Sequence, residues 1–184
     1  HFIISFAILT KNGFKLSNFY TANHYLVILR AFFLFSSTAL QFLAFQFLPL
    51  TVTSTIEFTA PIIICLLSWP ILGERVGLFR SIAILVGFFG VVTIIRPFGT
   101  DFHPATVLSL MGAFSFAIYA ILSRKLAGAV SVDLMQFYSG LIGSAIVLPM
   151  IFFIWTNPSN TFDWFILFLI GFFGWLGHQL LTSA

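Results

Sequence analysis

Apolar residues fill the chain in long unbroken runs, and polar residues fall mostly between them. The runs cover residues 2–9, 26–48, 52–72, 78–95, 105–122, 134–155 and 164–181. A helix needs about 20 mostly apolar residues to cross the hydrocarbon core of a bilayer. All the runs but the first reach or approach that length. None shows the period-two alternation of a lipid-facing barrel strand. The pattern predicts an all-α polytopic membrane protein with about seven helices, the first of them partial. The 78–95 run is short, and Arg80 at its start is expected to reach the interface along its aliphatic stem.

Charge gives an independent check on the helix count. The first, third and fifth connections carry Lys11 and Lys15, Arg75 and Arg80, and Arg124 and Lys125. The second and sixth carry no Lys or Arg, and the fourth carries only Arg96. Positive residues collect in cytoplasmic loops, so the odd-numbered connections are expected inside. A missed or invented helix would scramble this alternation. Trp155 and Trp164 flank the sixth connection, where an outer aromatic belt is expected.

Composition narrows the class. Sixty per cent of the 184 residues are hydrophobic and 7% are charged, against about 25% charged in soluble domains. That excludes a water-soluble enzyme and a disordered chain. The net charge of +3 comes from 8 basic and 5 acidic residues, spread out rather than gathered into the patch nucleic acid requires. A single cysteine, Cys65, excludes an intrachain disulfide and a Cys-rich metal site. The chain opens on His1 beside an apolar run and closes in another, the expectation for an internal fragment of a longer membrane protein. Its connections are too short for a soluble catalytic domain, so its work is expected within the membrane.

A few residues carry candidate chemistry. Glu57 is the one acid inside an apolar run. Pro61 has no N–H for the carbonyl of residue 57, so one turn offers a carboxylate and a freed carbonyl that together suit a proton or a cationic group. Ser54, Glu57, Pro61 and Ser68 lie roughly on one face. Glu57 is also close enough to the start of its run to be hydrated at the outer interface, and both readings stand. Arg30, Ser37 and Gln41 share a face of the preceding helix. Arg30 reads as a topological anchor ahead of a substrate contact, and Gln41 as a substrate-lining residue or a helix–helix hydrogen bond. Tyr119 shares a face with Gly112 and Ser115 and is a further lining candidate. Pro149 frees the carbonyl of Ala145 and marks a second kink after Pro61. His178 reads as a packing or hydrogen-bonded residue. Hydrolase, metalloprotease and phosphate-loop motifs are absent. No catalytic residue, metal or cofactor is expected, and the chain is not expected to be an enzyme.

Two stretches carry a family resemblance. The first is Pro70-Ile71-Leu72-Gly73-Glu74-Arg75. The second is Gly87-Phe88-Phe89-Gly90-Val91-Val92, closing with Ile95-Arg96-Pro97. A helix ending in Leu-Gly-Glu-Arg, then a Gly-x-x-Gly-Val helix ending near proline, resembles the EamA repeat of the drug/metabolite transporter superfamily. Leu29-Arg30, Ala39-Leu40 and Pro49-Leu50 fit the same repeat, and residues 112–117 resemble the opening of a second. The resemblance implies ten helices in two inverted five-helix repeats. Residues 1–97 would be the first repeat lacking helix one, and 104–184 the second lacking its last two helices. Gly73, Glu74 and Arg75 would form a cytoplasmic turn. Glu57 is not part of the family pattern. Residues 96–104, with Phe116-Ala117 and Arg124-Lys125, look most like the S-adenosylmethionine uptake transporters of intracellular bacteria.

The expectation is therefore a multi-pass carrier in the cell (inner) membrane. It would move a small polar metabolite by alternating access, with S-adenosylmethionine as the candidate and a coupling proton or counter-substrate as a further partner. Export of amino acids or other metabolites by the same fold is the first alternative. A membrane-embedded enzyme on a lipid-linked substrate is the second, and it would need convergent polar residues at one interface, which are too few here.

Overall fold

The computed structural model describes residues 2–11, 23–73, 77–95, 103–158 and 160–183. The described residues form helices and no strands. In chain order these are α1 (Phe2–Lys11), α2 (His24–Phe45), α3 (Leu50–Glu57), α4 (Thr59–Leu72), α5 (Leu78–Ile95), α6 (Thr106–Leu126), α7 (Val132–Ile154) and α8 (Thr161–Ser183). Five stretches are long and apolar enough to cross a membrane: His24–Phe45, Leu50–Leu72, Thr106–Leu126, Val132–Phe153 and Thr161–Thr182. The all-helical polytopic class expected from the apolar runs is what the chain adopts.

Two elements differ from the sequence expectation. The 52–72 run is broken into α3 and α4 by a turn at Phe58. The cause is local. Pro61 cannot donate to the carbonyl four residues back, and its ring crowds that carbonyl. The Phe58 N–H turns back to the Thr55 carbonyl at 3.2 Å, and the Thr59 hydroxyl donates to the Ile56 carbonyl at 2.7 Å. The second difference is at α6, which runs on to Leu126 and takes in Arg124 and Lys125. Cations in a last turn complement the negative end of the helix dipole, so the basic pair favours helix where the apolar pattern had stopped.

Contacts gather the helices into two compact units, His1–Phe32 with Leu126–Ala184, and Phe33–Lys125. Each unit draws helices from both predicted repeats. In the first unit, Leu9, Val27, Ala31, Leu126, Leu134, Met135 and Phe137 form a buried cluster. Phe2 and Phe6 of α1 set their rings 5.6 and 6.1 Å from Phe137 of α7. Ser131 caps α7 by accepting from the Leu134 N–H at 3.4 Å, with Asp133 in the first turn. On α8 the rings of Phe162, Phe165, Phe168 and Phe173 are exposed, as suits a helix whose surroundings are hydrocarbon. In the second unit, α6 is the most enclosed element, with Ser109, Ala113, Ala117 and Tyr119 fully buried.

Candidate functional site

The first unit holds a buried cation. Arg30, on the second turn of α2, is 0% exposed. Its Nη1 donates to the Met135 carbonyl at 3.1 Å and to Ser139 Oγ at 2.9 Å, both on α7. Its Nη2 donates to Thr182 Oγ1 on α8 at 3.1 Å. Gln136, one residue on from Met135 and itself buried, donates from Nε2 to the same Thr182 hydroxyl at 3.0 Å and to the His178 carbonyl at 2.8 Å. Thr182 in turn donates to the His178 carbonyl at 2.7 Å. The spacing explains the convergence: Met135 and Ser139, like His178 and Thr182, are four apart and share a helix face. The planar fork of a guanidinium suits several fixed acceptors better than an ammonium would. Asp133 accepts from Gln179 Nε2 at 3.4 Å one turn further along.

The second unit holds a neutral polar group. Gln41 lies four residues before the end of α2 and is 7% exposed. Its Nε2 points at the Thr53 carbonyl on α3, at a long 3.5 Å. Its Oε1 points at Gly112 of α6, where a Cβ would sit only 3.3 Å from that oxygen and 3.5 Å from the Ser37 carbonyl. A Cβ there would press on the amide oxygen by a few tenths of an ångström, while its distance to the Ser37 carbonyl is ordinary contact. Gln41 Oε1 and Ser109 Oγ, three residues before Gly112, are both buried without a hydrogen-bond partner. Each such group costs about 1–3 kcal/mol of stability while it stays unpaired.

The other candidates fall as follows. Glu57 ends α3 at the Phe58 turn and is exposed, so it does not share Gln41's enclosed position. Tyr119 is fully buried two turns beyond Gly112, its ring 5.7 Å from that of Phe116. Pro61 lies just after the α3–α4 break, whereas α7 continues through Pro149. Gly73 takes the left-handed conformation, φ 73°, and its N–H closes α4 on the Trp69 carbonyl at 2.9 Å; a side chain there would be strained. Glu74 and Arg75 lie outside the described residues. Sequence reasoning missed the role of Arg30, which is enclosed by three helices rather than reaching for the interface. It also missed Gln136, Ser139 and Thr182. The available signal was a polar residue at 136 and 139 within an apolar run and one at 182 just past the end of another.

Comparison with known proteins adds to the geometry. Residues 1–96 match the family described as the EamA-like transporter family. The chain is 29% identical over 161 residues to the S-adenosylmethionine uptake transporter of Rickettsia prowazekii (strain Madrid E), covering 88% of this chain and 53% of that protein. It is 29% identical over 126 residues to the riboflavin transporter of Vibrio cholerae, covering 68% and 42%. With the pseudopaline exporter CntI of Pseudomonas aeruginosa (strain UCBPP-PA14) it shares 26% identity over 144 residues, covering 78% and 51%. The chain thus spans about half the length of the curated relatives it matches. No solved structure matches it significantly.

Proposed function

The chain belongs to the EamA-like transporter family, and from that premise we propose that it forms part of a carrier for a small polar metabolite, working by alternating access. The observation that carries this reading is Arg30, a cation enclosed among apolar spans and hydrogen-bonded to α7 and α8. Ionisable residues within spans are costly and accompany transport pathways. S-adenosylmethionine is the favoured substrate, on the strength of the relatives so named. The membrane is the cell (inner) membrane, with odd connections inside, and residues 1–97 and 104–184 belong to two inverted repeats. Gln41, Glu57 and Tyr119 line the path at some stage of the cycle. A proton or counter-substrate couples it. Export by the same fold is the second reading, favoured by the likeness to a pseudopaline exporter.

Uptake of labelled S-adenosylmethionine by proteoliposomes holding the full-length protein tests the assignment. Saturable uptake, accelerated by unlabelled substrate preloaded inside, is the expected result, and release without uptake would favour export. An absence of movement in both directions would overturn the substrate. Glu57→Gln is expected to leave insertion intact and to change the response of uptake to an imposed proton gradient at least threefold. An unchanged response would remove Glu57 from coupling. A cysteine at Asn157, in the connection after α7, is expected to react with an impermeant thiol reagent from outside intact cells. Reaction only after permeabilisation would reverse the orientation.

A further inference from the structure

In the second unit three helix ends meet. The last turns of α2, the first turn of α3 and the first two turns of α6 are joined by Gln41 to Thr53 and Gly112, and by a stack of the Phe47 and His103 rings at 6.0 Å. By helix rise, Gln41 lies roughly 6 Å from the end of α2 and Ser109 about 5 Å from the start of α6. Ser109 and Gly112 are three apart on one helix and so share a face. The enclosed Gln41 oxygen and the enclosed Ser109 hydroxyl, neither with a partner, therefore lie within about one helical turn of each other along α6.

The Thr53 carbonyl can only accept, so the amide nitrogen faces it and the amide oxygen faces Gly112. The oxygen therefore calls for an N–H or O–H donor, and the Ser109 hydroxyl can both give and take. Both atoms are sealed from contact with solvent in this arrangement. A ligand reaches them only when α2 and α6 part.

We propose that Gln41 and Ser109 form an occluded subsite for an amino or hydroxyl group of the transported molecule, opened by separation of α2 from α6 at Gly112. This rests on the carrier reading and deepens it. Closed, the seam leaves two polar atoms unsatisfied. Open, it gives both to the substrate. The device sits at the helix ends expected on the outer side, so it serves as the outer entrance. Gly112 sets the fit, because a Cβ there would crowd the amide oxygen at 3.3 Å.

Two measurements on the full-length protein test this. The first uses S109C in a Cys65→Ser background and follows modification by an impermeant methanethiosulfonate from outside. The expected result is reaction at least tenfold slower than at a loop cysteine, slowed a further fivefold or more by saturating S-adenosylmethionine. No reaction from outside, or reaction unaffected by the substrate, overturns the subsite. The second compares Ser109→Ala and Gly112→Ala in uptake. Ser109→Ala is expected to raise KM about tenfold, to leave kcat within twofold and to leave the melting temperature unchanged or higher. Gly112→Ala is expected to raise KM likewise. A lowered melting temperature of Ser109→Ala with unchanged KM would make the hydroxyl a packing group and overturn the proposal. Should the wild-type protein move no S-adenosylmethionine, the substrate assignment fails. The seam is then still decided by whether S109C reacts from outside without substrate.

Discussion

Full-length protein carrying Arg30→Met is expected to lose uptake and to melt well below the wild type. The variant keeps most of the side-chain volume and removes the fork that serves the Met135 carbonyl, Ser139 and Thr182. Each enclosed polar group left without its donor costs about 1–3 kcal/mol. Opposing that is the relief of no longer desolvating a guanidinium, which for buried ions can offset much of the loss. We expect the first effect to win, because the fork ties α2 to both α7 and α8, and the bonds that remain, Ser139 to the Met135 carbonyl at 3.0 Å and Gln136 to Thr182 at 3.0 Å, do not reach α2. Arg30→Lys separates charge from geometry. A single ammonium keeps the cation but lacks the planar fork, so it is expected to recover part of the stability and little of the uptake. Thermal unfolding in detergent read by tryptophan fluorescence, alongside uptake in proteoliposomes, checks both variants. A methionine variant as stable and as active as the wild type would remove Arg30 from the centre of the first unit.

Pro61→Ala is expected to act in the opposite sense on stability. With an N–H restored at position 61, the Glu57 carbonyl regains a helical partner, and α3 and α4 can join through Phe58. A proline interrupting a helix costs about 3 kcal/mol or more. The gain here is expected to be smaller, about 1–2 kcal/mol, because Pro61 occupies the first turn of α4, where a missing N–H is best tolerated. Uptake is expected to fall severalfold if the turn at Phe58 is a joint the carrier flexes. A higher melting temperature with undiminished uptake would show that the break is only a relic of the proline.

The spans were readable because a bilayer imposes one crude requirement, length without charge, and every apolar run that reached it became helix. The break at Phe58 was half readable: Pro61 announced a freed carbonyl, but whether a helix bends or parts at a proline depends on what the neighbouring N–H groups find, here the Thr55 carbonyl. The enclosure of Arg30 was illegible for a physical reason. An arginine a few residues inside an apolar run looks the same whether it reaches for water or for partners, and its partners lie 105, 109 and 152 residues away. Gln41 stood out as an amide in an apolar helix. The geometry that gives it meaning, Gly112 opposite its oxygen, depends on packing between distant segments. Glu57 was poised between hydration and enclosure, and the structure leaves it exposed at the helix break.

The Thr182 hydroxyl has one proton and two lone pairs, and all three are engaged: the proton with the His178 carbonyl, the lone pairs with Arg30 and Gln136. If the last turn of α8 shifts by even an ångström or two, the Arg30 and Gln136 links stretch together, with no spare valence to ease the passage. Displacement of this turn therefore loosens the hold on Arg30 and on Gln136 in the same movement, so one hydroxyl couples α8 to both.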